Sequence, residues 1–321
     1  MKIVILDGAT ATQADLNWDV FDRLGQVTVW PRTAPDEVNG RICDADAVLT
    51  NKVVLGEAEM NAAPRLRYIG VLATGYNVVN LNAAAERGIV VTNIPAYSTD
   101  SVAQMAIAHL LNIANGVGRH AEAVRQGSWQ QSADFCFQLT PQVELRDKTF
   151  AVVGLGNTGL ATARLAQALG MRVVAWSSKP AKVLKASYNI EKAESPEVLF
   201  READVLSLHC PLTPDTHHII NARSLSWMKP TAILLNTGRG PLVDERALAE
   251  ALNGGRLYAA GVDVLEQEPP RQGSLLIGAR NCYITPHIAW GTREARQRLL
   301  ETAYKNLEAF LGGSPQNVVN S

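Results

Sequence analysis

The sequence predicts an α/β protein made of two doubly wound parallel-sheet domains. Short apolar runs alternate with amphipathic stretches of helical length, the pattern of strand-helix-strand units. The runs fall into two series, separated by a long apolar helical segment and a polar, aromatic-dotted stretch. The later runs are continuously apolar, as strands covered on both faces by helices must be. The 321 residues suit two domains at roughly 100–200 residues each, and a chain of that size buries about 75% of its unfolded surface.

In the first series, strands are expected at 3–6, 27–29, 47–49, 68–71 and 89–91. The segment SVAQMAIAHLLNIA, 101–114, reads as one long helix, and 125–146 has weak periodicity. The second series places strands at 150–153, 173–176, 205–208, 232–235, 260–262 and 282–284. Capping chemistry predicts helix starts at Thr216, at Asp244-Glu245 and at Thr292. The last helix, 292–311, has no strand left to pair with in the second series and is expected to return to the first.

Composition excludes several classes. With 47% hydrophobic and 19% charged residues, the chain can offset its conformational entropy by burial, so disorder is not its dominant state. Thirty Lys+Arg against 31 Asp+Glu give a net charge of −1, without the basic stripe of a nucleic-acid binder. Cys43, Cys136, Cys210 and Cys282 lie far apart with no CxxC pair, which suits neither a disulfide framework nor a zinc site; no metal is expected. The apolar run at 3–6 is shorter than the ~7–15 residues of a signal-peptide core, and no stretch nears the ~18 of a membrane span. A soluble, cytoplasmic protein without a membrane partner is expected.

Gly154-Leu155-Gly156-Asn157-Thr158-Gly159 is a GxGxxG between a predicted strand and a helix that Gly170 can terminate. Gly154 permits the tight turn, Gly156 lets backbone approach a pyrophosphate, and Gly159 lets helix and strand pack closely. The helix N-terminus offers unpaired N–H groups and a positive dipole end to phosphates. This is the fingerprint of a Rossmann-like dinucleotide site. An NAD site places an acid at the end of the next strand, about 20 residues on, to bind the ribose 2′-hydroxyl. Here that end reads Ala175-Trp176-Ser177-Ser178-Lys179-Pro180. Two hydroxyls and an ammonium stand where a carboxylate would repel a 2′-phosphate, which favours NADP(H). The alternative is NAD(H), with Ser177 on the 2′-hydroxyl and Lys179 solvated.

Three late segments follow apolar strands: Leu235-Asn236-Thr237-Gly238-Arg239-Gly240, Gly261-Val262-Asp263-Val264-Leu265-Glu266-Gln267-Glu268-Pro269, and Ile284-Thr285-Pro286-His287-Ile288. Strand carboxyl ends line the crevice of a doubly wound sheet, so Arg239, Glu268 and His287 are expected to converge beside a nicotinamide. Hydride transfer from a nicotinamide to a carbonyl carbon leaves negative charge on the carbonyl oxygen. His287 can supply the proton, because an unperturbed imidazole titrates at ~6.5. A carboxylate next to an imidazole favours its charged form and fixes its tautomer; Glu268 is the candidate. Arg239 offers a planar fork to a substrate carboxylate and can polarise the carbonyl.

The segments GLGNTG, LHCPLTPDT, LLNTGRGPLVDE, GVDVLEQEPP and TPHIAW resemble, in order and spacing, those of the D-isomer-specific 2-hydroxyacid dehydrogenase family, over nearly the whole chain. Leu72-Ala73-Thr74-Gly75-Tyr76-Asn77, Thr50-Asn51-Lys52 and Ser101-Val102-Ala103-Gln104 are similar to its glycerate dehydrogenase and glyoxylate/hydroxypyruvate reductase branch. A Gln at 268 would have pointed to the formate-dehydrogenase branch. The resemblance implies that Arg239, Glu268 and His287 carry the chemistry. It implies a flavodoxin-like substrate domain, 1–98 plus 289–321, and a Rossmann cofactor domain, 99–288, with a dimerisation arm at about 101–146. It also implies cofactor contacts from His209, Cys210, Pro211, Thr216, Thr237, Gly238 and Asp263, beside Gly154, Gly156, Asn157, Thr158, Gly159, Ser177, Ser178 and Lys179. Asp263 would face the carboxamide or, alternatively, cap the sheet end. Cys210 reads as a packing residue, because no activating base is evident.

Substrate contacts are expected from Lys52, Ala73, Thr74, Gly75, Arg239 and Trp290. The N–H groups of the 72–76 turn can form a nest for a carboxylate. Lys52 could equally be a surface lysine, and Trp290 a core residue. Trp129, Phe135 and Phe137 are expected to contact a second subunit of a homodimer. His109, His120, His217 and His218 are placed on helices or their starts, in structural or solvated roles. The expected hinge strands lie near 97–99 and 288–290. The expected reaction is NADPH-dependent reduction of glyoxylate or hydroxypyruvate to the D-2-hydroxy acid. The alternatives are phosphoglycerate or D-lactate dehydrogenation, or a nucleotide-sensing, corepressor-like binding module on the same fold.

Overall fold

The structure, a computed structural model, describes residues 1–13 and 15–320. Residues 14 and 321, both within the stretches expected to bind substrate, lie outside the described residues. The chain divides into two compact units, Met1–Ser98 with Trp290–Ser321, and Thr99–Ala289.

The first unit runs β1 (Lys2–Ile5), α1 (Ala9–Thr12), β2 (Gln26–Val29), α2 (Val38–Ile42), β3 (Ala47–Thr50), α3 (Glu57–Ala62), β4 (Tyr68–Val71), α4 (Leu81–Glu86) and β5 (Val90–Thr92). Its five strands are all parallel in the order β2-β1-β3-β4-β5, the flavodoxin-like arrangement. β3 and β4 are buried along their whole length, as the continuous apolar runs require. The last helix of the chain returns to this sheet. It begins at Thr292, whose side chain accepts the Ala295 N–H, and it buries Leu299, Leu300, Ala303 and Leu307 against Ile3, Ile5, Ala47 and Leu49.

The second unit opens with α5 (Thr99–Asn115) and α6 (Val117–Arg125) and continues β6 (Thr149–Val153), α7 (Asn157–Ala168), β7 (Arg172–Trp176), α8 (Ala181–Tyr188), β8 (Glu191–Lys192), α9 (Pro196–Glu202), β9 (Val205–Leu208), α10 (Ala222–Trp227), β10 (Ile233–Asn236), α11 (Glu245–Asn253), β11 (Ala259–Val262) and β12 (Cys282–Ile284). The seven strands are parallel in the order β12-β11-β10-β9-β6-β7-β8. The order turns outward in both directions from the β6/β9 pair, so that pair is the topological switch point where ligands of open α/β sheets bind. Separate apolar clusters cover the two faces of this sheet. α12 (Arg293–Leu311), described above, completes the helices.

Two expectations are corrected. The helix expected from Thr216 does not form. Thr216 Oγ1 accepts the Thr213 N–H at 2.8 Å and donates to Pro211 O at 2.7 Å, closing a turn in competition with a helix. The helix starts later, at Ala222, where Asn221 accepts the N–H groups of Arg223 and Ser224. His217 and His218 therefore lie in a turn, with His218 at φ 50°. β8 was not anticipated, because two charged residues carry no apolar signal.

Candidate active site

Since all seven strands of the second unit are parallel, every loop after a strand emerges on one edge. The GxGxxG turn follows β6. Gly154 has φ 87°, and a Cβ there would lie 2.6 Å from Cys210 N; a Cβ at Gly159 would lie 2.2 Å from Gly154 O. Only glycine fits either position. Gly156 differs: a Cβ there would meet nothing within 4 Å. Among the described residues, no side chain caps the α7 N-terminus, so the N–H groups near Asn157, Thr158 and Gly159 face this open space uncapped. Thr237 Oγ1, after β10, is a buried polar atom without a hydrogen-bond partner among the described residues. Open space, uncapped N–H groups and an orphaned hydroxyl are what a dinucleotide would occupy and satisfy.

At the end of β7, Ser177 Oγ accepts the Lys179 N–H at 3.2 Å, and Ser178 is exposed. Lys192 Nζ, from the short β8, donates to Lys179 O at 3.0 Å. It brings a second ammonium to this turn that sequence reasoning missed. After β9, His209 shares a 2.9 Å hydrogen bond with Ser207, and burial pushes its imidazole down to about 4. Burial pushes the Cys210 thiol up to about 11, the behaviour of a packing residue. Pro211 and Thr216 are tied into the turn already described.

Three loops at the other half of the edge carry the expected catalytic trio. After β10, the buried Asn236 folds the turn: its amide donates to Arg239 O at 2.9 Å and its carbonyl accepts the Gly238 N–H at 3.1 Å. Arg239 is exposed. Gly240 packs so closely on the next loop that a Cβ would lie 1.9 Å from Leu265 O. After β11, Glu268 Oε1 accepts the Leu265 N–H at 2.9 Å, which points its second oxygen outward from the loop. That oxygen meets His287 Nδ1 at 2.5 Å, with both side chains about one-third exposed. Glu268 and His287 are thus brought together, and the Arg239 turn rests on the backbone of the loop that carries Glu268. A cavity of about 480 Å³ opens beside the pair, lined by Leu265, Glu268, Pro269, Ile284 and Pro286 among others.

Asp263 holds the loop after β12. Its carboxylate accepts the Thr285 hydroxyl at 2.6 Å and the N–H groups of Ile288 and Ala289 at 3.0 and 2.8 Å; its carbonyl accepts the His287 N–H at 2.8 Å. This clamp was not legible in the sequence, nor were Asn236 and Gly240 as supports of the Arg239 turn. Their signal lay in the motif itself, a buried amide followed by two glycines at a strand end.

In the first unit, Thr74 Oγ1 donates to Ile94 O at 2.9 Å and Thr74 O accepts the Asn93 amide at 2.8 Å, fixing the Ala73-Thr74-Gly75 turn after β4. Asp7 accepts the backbone N–H groups of Asn51 and Lys52, orienting the turn that presents the exposed Lys52; burial raises the Asp7 carboxyl above its ordinary range. Trp290 stacks edge-on with Tyr97 at 6.5 Å between centroids.

A family model described as the D-isomer specific 2-hydroxyacid dehydrogenase, NAD binding domain, matches residues 107–289, which include the glycine turn and all three loops. The chain belongs to the D-isomer-specific 2-hydroxyacid dehydrogenases. A hydroxypyruvate reductase of Blautia hydrogenotrophica is 46% identical to it over 323 residues, covering 100% of both chains. A glycerate dehydrogenase of Methylorubrum extorquens is 38% identical over 324 residues, covering 100% of this chain and 99% of the other. The crystal structure of an NADPH-dependent glyoxylate/hydroxypyruvate reductase from Sinorhizobium meliloti aligns with a TM-score of 0.84 at 30% identity, over 99% of this chain and 97% of that one. As a member of this dehydrogenase family, the protein is an NAD(P)-dependent oxidoreductase that reduces 2-keto acids.

Proposed function

We propose that this dehydrogenase is a cytoplasmic, NADPH-preferring reductase of glyoxylate or hydroxypyruvate, giving glycolate or D-glycerate, with His287 as the proton donor. The observation that carries the reading is the 2.5 Å contact of His287 Nδ1 with Glu268, on the edge that bears the glycine turn. The glycine turn would hold a dinucleotide whose reduced nicotinamide, when bound, would supply the hydride. The chain supplies the rest. Nδ1–H of the His287 imidazolium donates a hydrogen bond to Glu268, which fixes the ring and leaves the Nε2 proton to pass to the carbonyl oxygen as that oxygen gains charge, giving the neutral imidazole. Glu268 also stabilises the imidazolium before transfer. Arg239 pairs with the substrate carboxylate through its planar fork and polarises the carbonyl. The turns of the first unit that hold Lys52, Ala73, Thr74 and Gly75, together with Trp290, add substrate contacts. In the reverse direction neutral His287 takes the hydroxyl proton.

Gly154, Gly156 and Gly159, with the N–H groups of Asn157 and Thr158, hold the pyrophosphate. Thr237, Gly238, His209, Cys210, Pro211, Thr216 and Asp263 wall the nicotinamide half. The NADPH preference is supported by Ser177, Ser178 and Lys179 at the end of β7, where no carboxylate stands to repel a 2′-phosphate, and by the NADPH-dependent relative from Sinorhizobium meliloti. A homodimer is supported by the exposed Phe135 and Trp129 on the 101–146 arm.

The test follows loss of reduced-nicotinamide absorbance with hydroxypyruvate and glyoxylate, using NADPH and NADH in turn. His287→Ala lowers turnover by about 10²–10⁴-fold, the usual contribution of a positioned acid, while NADPH binding measured by fluorescence stays near normal. Unchanged turnover would remove His287 from the mechanism.

A further inference from the structure

α5 carries two buried polar side chains that the proposed transfer of hydride and proton does not use, Ser101 and His109. Both reach the loop after β12, one on each side of His287. Ser101 Oγ donates to Ala289 O at 2.6 Å, and His109 Nε2 lies 3.0 Å from Thr285 Oγ1. Thr285 gives its own proton to Asp263 Oδ1, so the proton shared with His109 must come from the imidazole. His109 is therefore protonated on Nε2. Burial lowers its pKa, with Asp263 pulling partly the other way, and an Nε2–H donor is what this bond requires.

His287 sits between these ties at φ 53°, a left-handed conformation that a non-glycine residue keeps only where its surroundings over-determine it. Its N–H is held by Asp263 O, and the carboxylate of the same aspartate holds the next two N–H groups. Thr285 anchors that carboxylate from below, and His109 anchors Thr285. The helix reaches this far because residue 261, in β11, is glycine: a Cβ there would lie 2.7 Å from His109 Cβ. Glycine weakens a strand interior, and close approach of another element is the usual reason to keep it.

We infer that His109 and Thr285 are positioning residues that act through Asp263 to hold His287 in the geometry needed for proton transfer. The inference rests on the reading of His287 as the proton donor. Among the described residues, Asp263 and Glu268 are charged groups that bond to the His287 loop, and Asp263 acts on His109.

The experiment compares His109→Leu, His109→Gln, Thr285→Val and Thr285→Ser. Glutamine keeps an N–H donor near the position of the imidazole Nε2; serine keeps the hydroxyl. For each variant, kcat and kcat/KM for hydroxypyruvate are measured across the pH range, with NADPH Kd by fluorescence and Tm by calorimetry. His109→Leu and Thr285→Val are expected to lower kcat roughly tenfold and to displace the His287 limb of the pH profile, with NADPH Kd unchanged within about twofold. His109→Gln and Thr285→Ser recover most of kcat. The double variant His109→Leu/Thr285→Val is no worse than Thr285→Val alone, because the two act in series. A His109→Gln enzyme as impaired as His109→Leu, or a Thr285→Val enzyme with wild-type kcat and pH profile, would overturn the inference. If His109→Leu does not fold, the near-isosteric Thr285→Val carries the test. Turnover that survives His287→Ala would remove the underlying reading instead, a result distinguishable from both.

Discussion

The closest backbone approach in the site makes Gly240→Ala the most informative single change. A Cβ at 240 would lie 1.9 Å from Leu265 O, 2.0 Å from its carbonyl carbon and 2.6 Å from Glu266 N, where contacts under 3.0 Å do not occur. All three partners are backbone, so no side chain can rotate away. The Arg239 turn and the Glu268 loop must part by about 1 Å. The cost in stability is that of overpacking, about 1–3 kcal/mol. The cost in catalysis is larger, since a 1 Å misplacement of reacting groups lowers rate by about 10²-fold. The glycine turn after β6 lies on separate loops and is untouched. Gly240→Ala should thus lower kcat with hydroxypyruvate about 10²-fold and lower Tm by a few degrees, and it should weaken NADPH binding much less than it lowers kcat, because the displaced turn holds only Thr237 and Gly238 of the proposed cofactor contacts. Steady-state kinetics, fluorescence titration and calorimetry on one preparation decide it. A kcat within twofold of wild type, or a loss of NADPH affinity as large as the loss of kcat, would refute the reasoning.

Further outcomes are expected. Ser177→Asp places a carboxylate where a 2′-phosphate would lie and shifts the ratio of kcat/KM for NADPH over NADH toward NADH; a constant ratio would mean the β7 end does not read the ribose. Arg239→Lys keeps the charge but loses the planar fork, so KM for the keto acid rises about tenfold or more while NADPH Kd holds; an unchanged KM would take Arg239 out of substrate binding. Stability also depends on pH through His209. Its folded-state pKa of about 4 lies below the ~6.5 of the unfolded chain, so below ~6.5 the unfolded state takes up a proton that the folded state refuses. Stability therefore falls as pH drops from ~6.5 toward 4, by roughly 3 kcal/mol for this group, and the buried His109 acts in the same sense. The ion-paired carboxyls of Asp15, Asp46 and Asp204 act only at lower pH, since their folded pKa values lie below the ordinary 3.8. Urea denaturation at stepped pH should give this slope for the wild type and a flatter one for His209→Asn; equal slopes would exclude His209 as its source.

Much of this was legible because apolar runs and glycines report directly on backbone demands. A continuous apolar run such as 150–153 reads as a strand with both faces covered, and the structure has it in β6, buried along its whole length inside the second sheet. The dinucleotide turn was legible because each glycine answers a separate steric need, visible as clashes at Gly154 and Gly159 and open space at Gly156. β8 was missed because a two-residue edge strand of Glu191 and Lys192 has no pattern to read. Thr216 misled because a threonine hydroxyl closes a turn as readily as it caps a helix. The clamp from Asp263 to Thr285, Ile288 and Ala289 joins residues up to 26 positions apart, and no local rule of sequence anticipates it.

The return of α12 to the first sheet has a consequence for how the protein is made. The face of β1 and β3 that carries Ile3, Ile5, Ala47 and Leu49 is covered by Leu299, Leu300, Ala303 and Leu307, some 250 or more residues downstream. On the ribosome that face stays uncovered until residues 299–307 have emerged, while the intervening unit is an uninterrupted stretch that can mature first. A stop codon just before α12 would therefore leave a sticky, half-built N-terminal unit for chaperones and proteases to find.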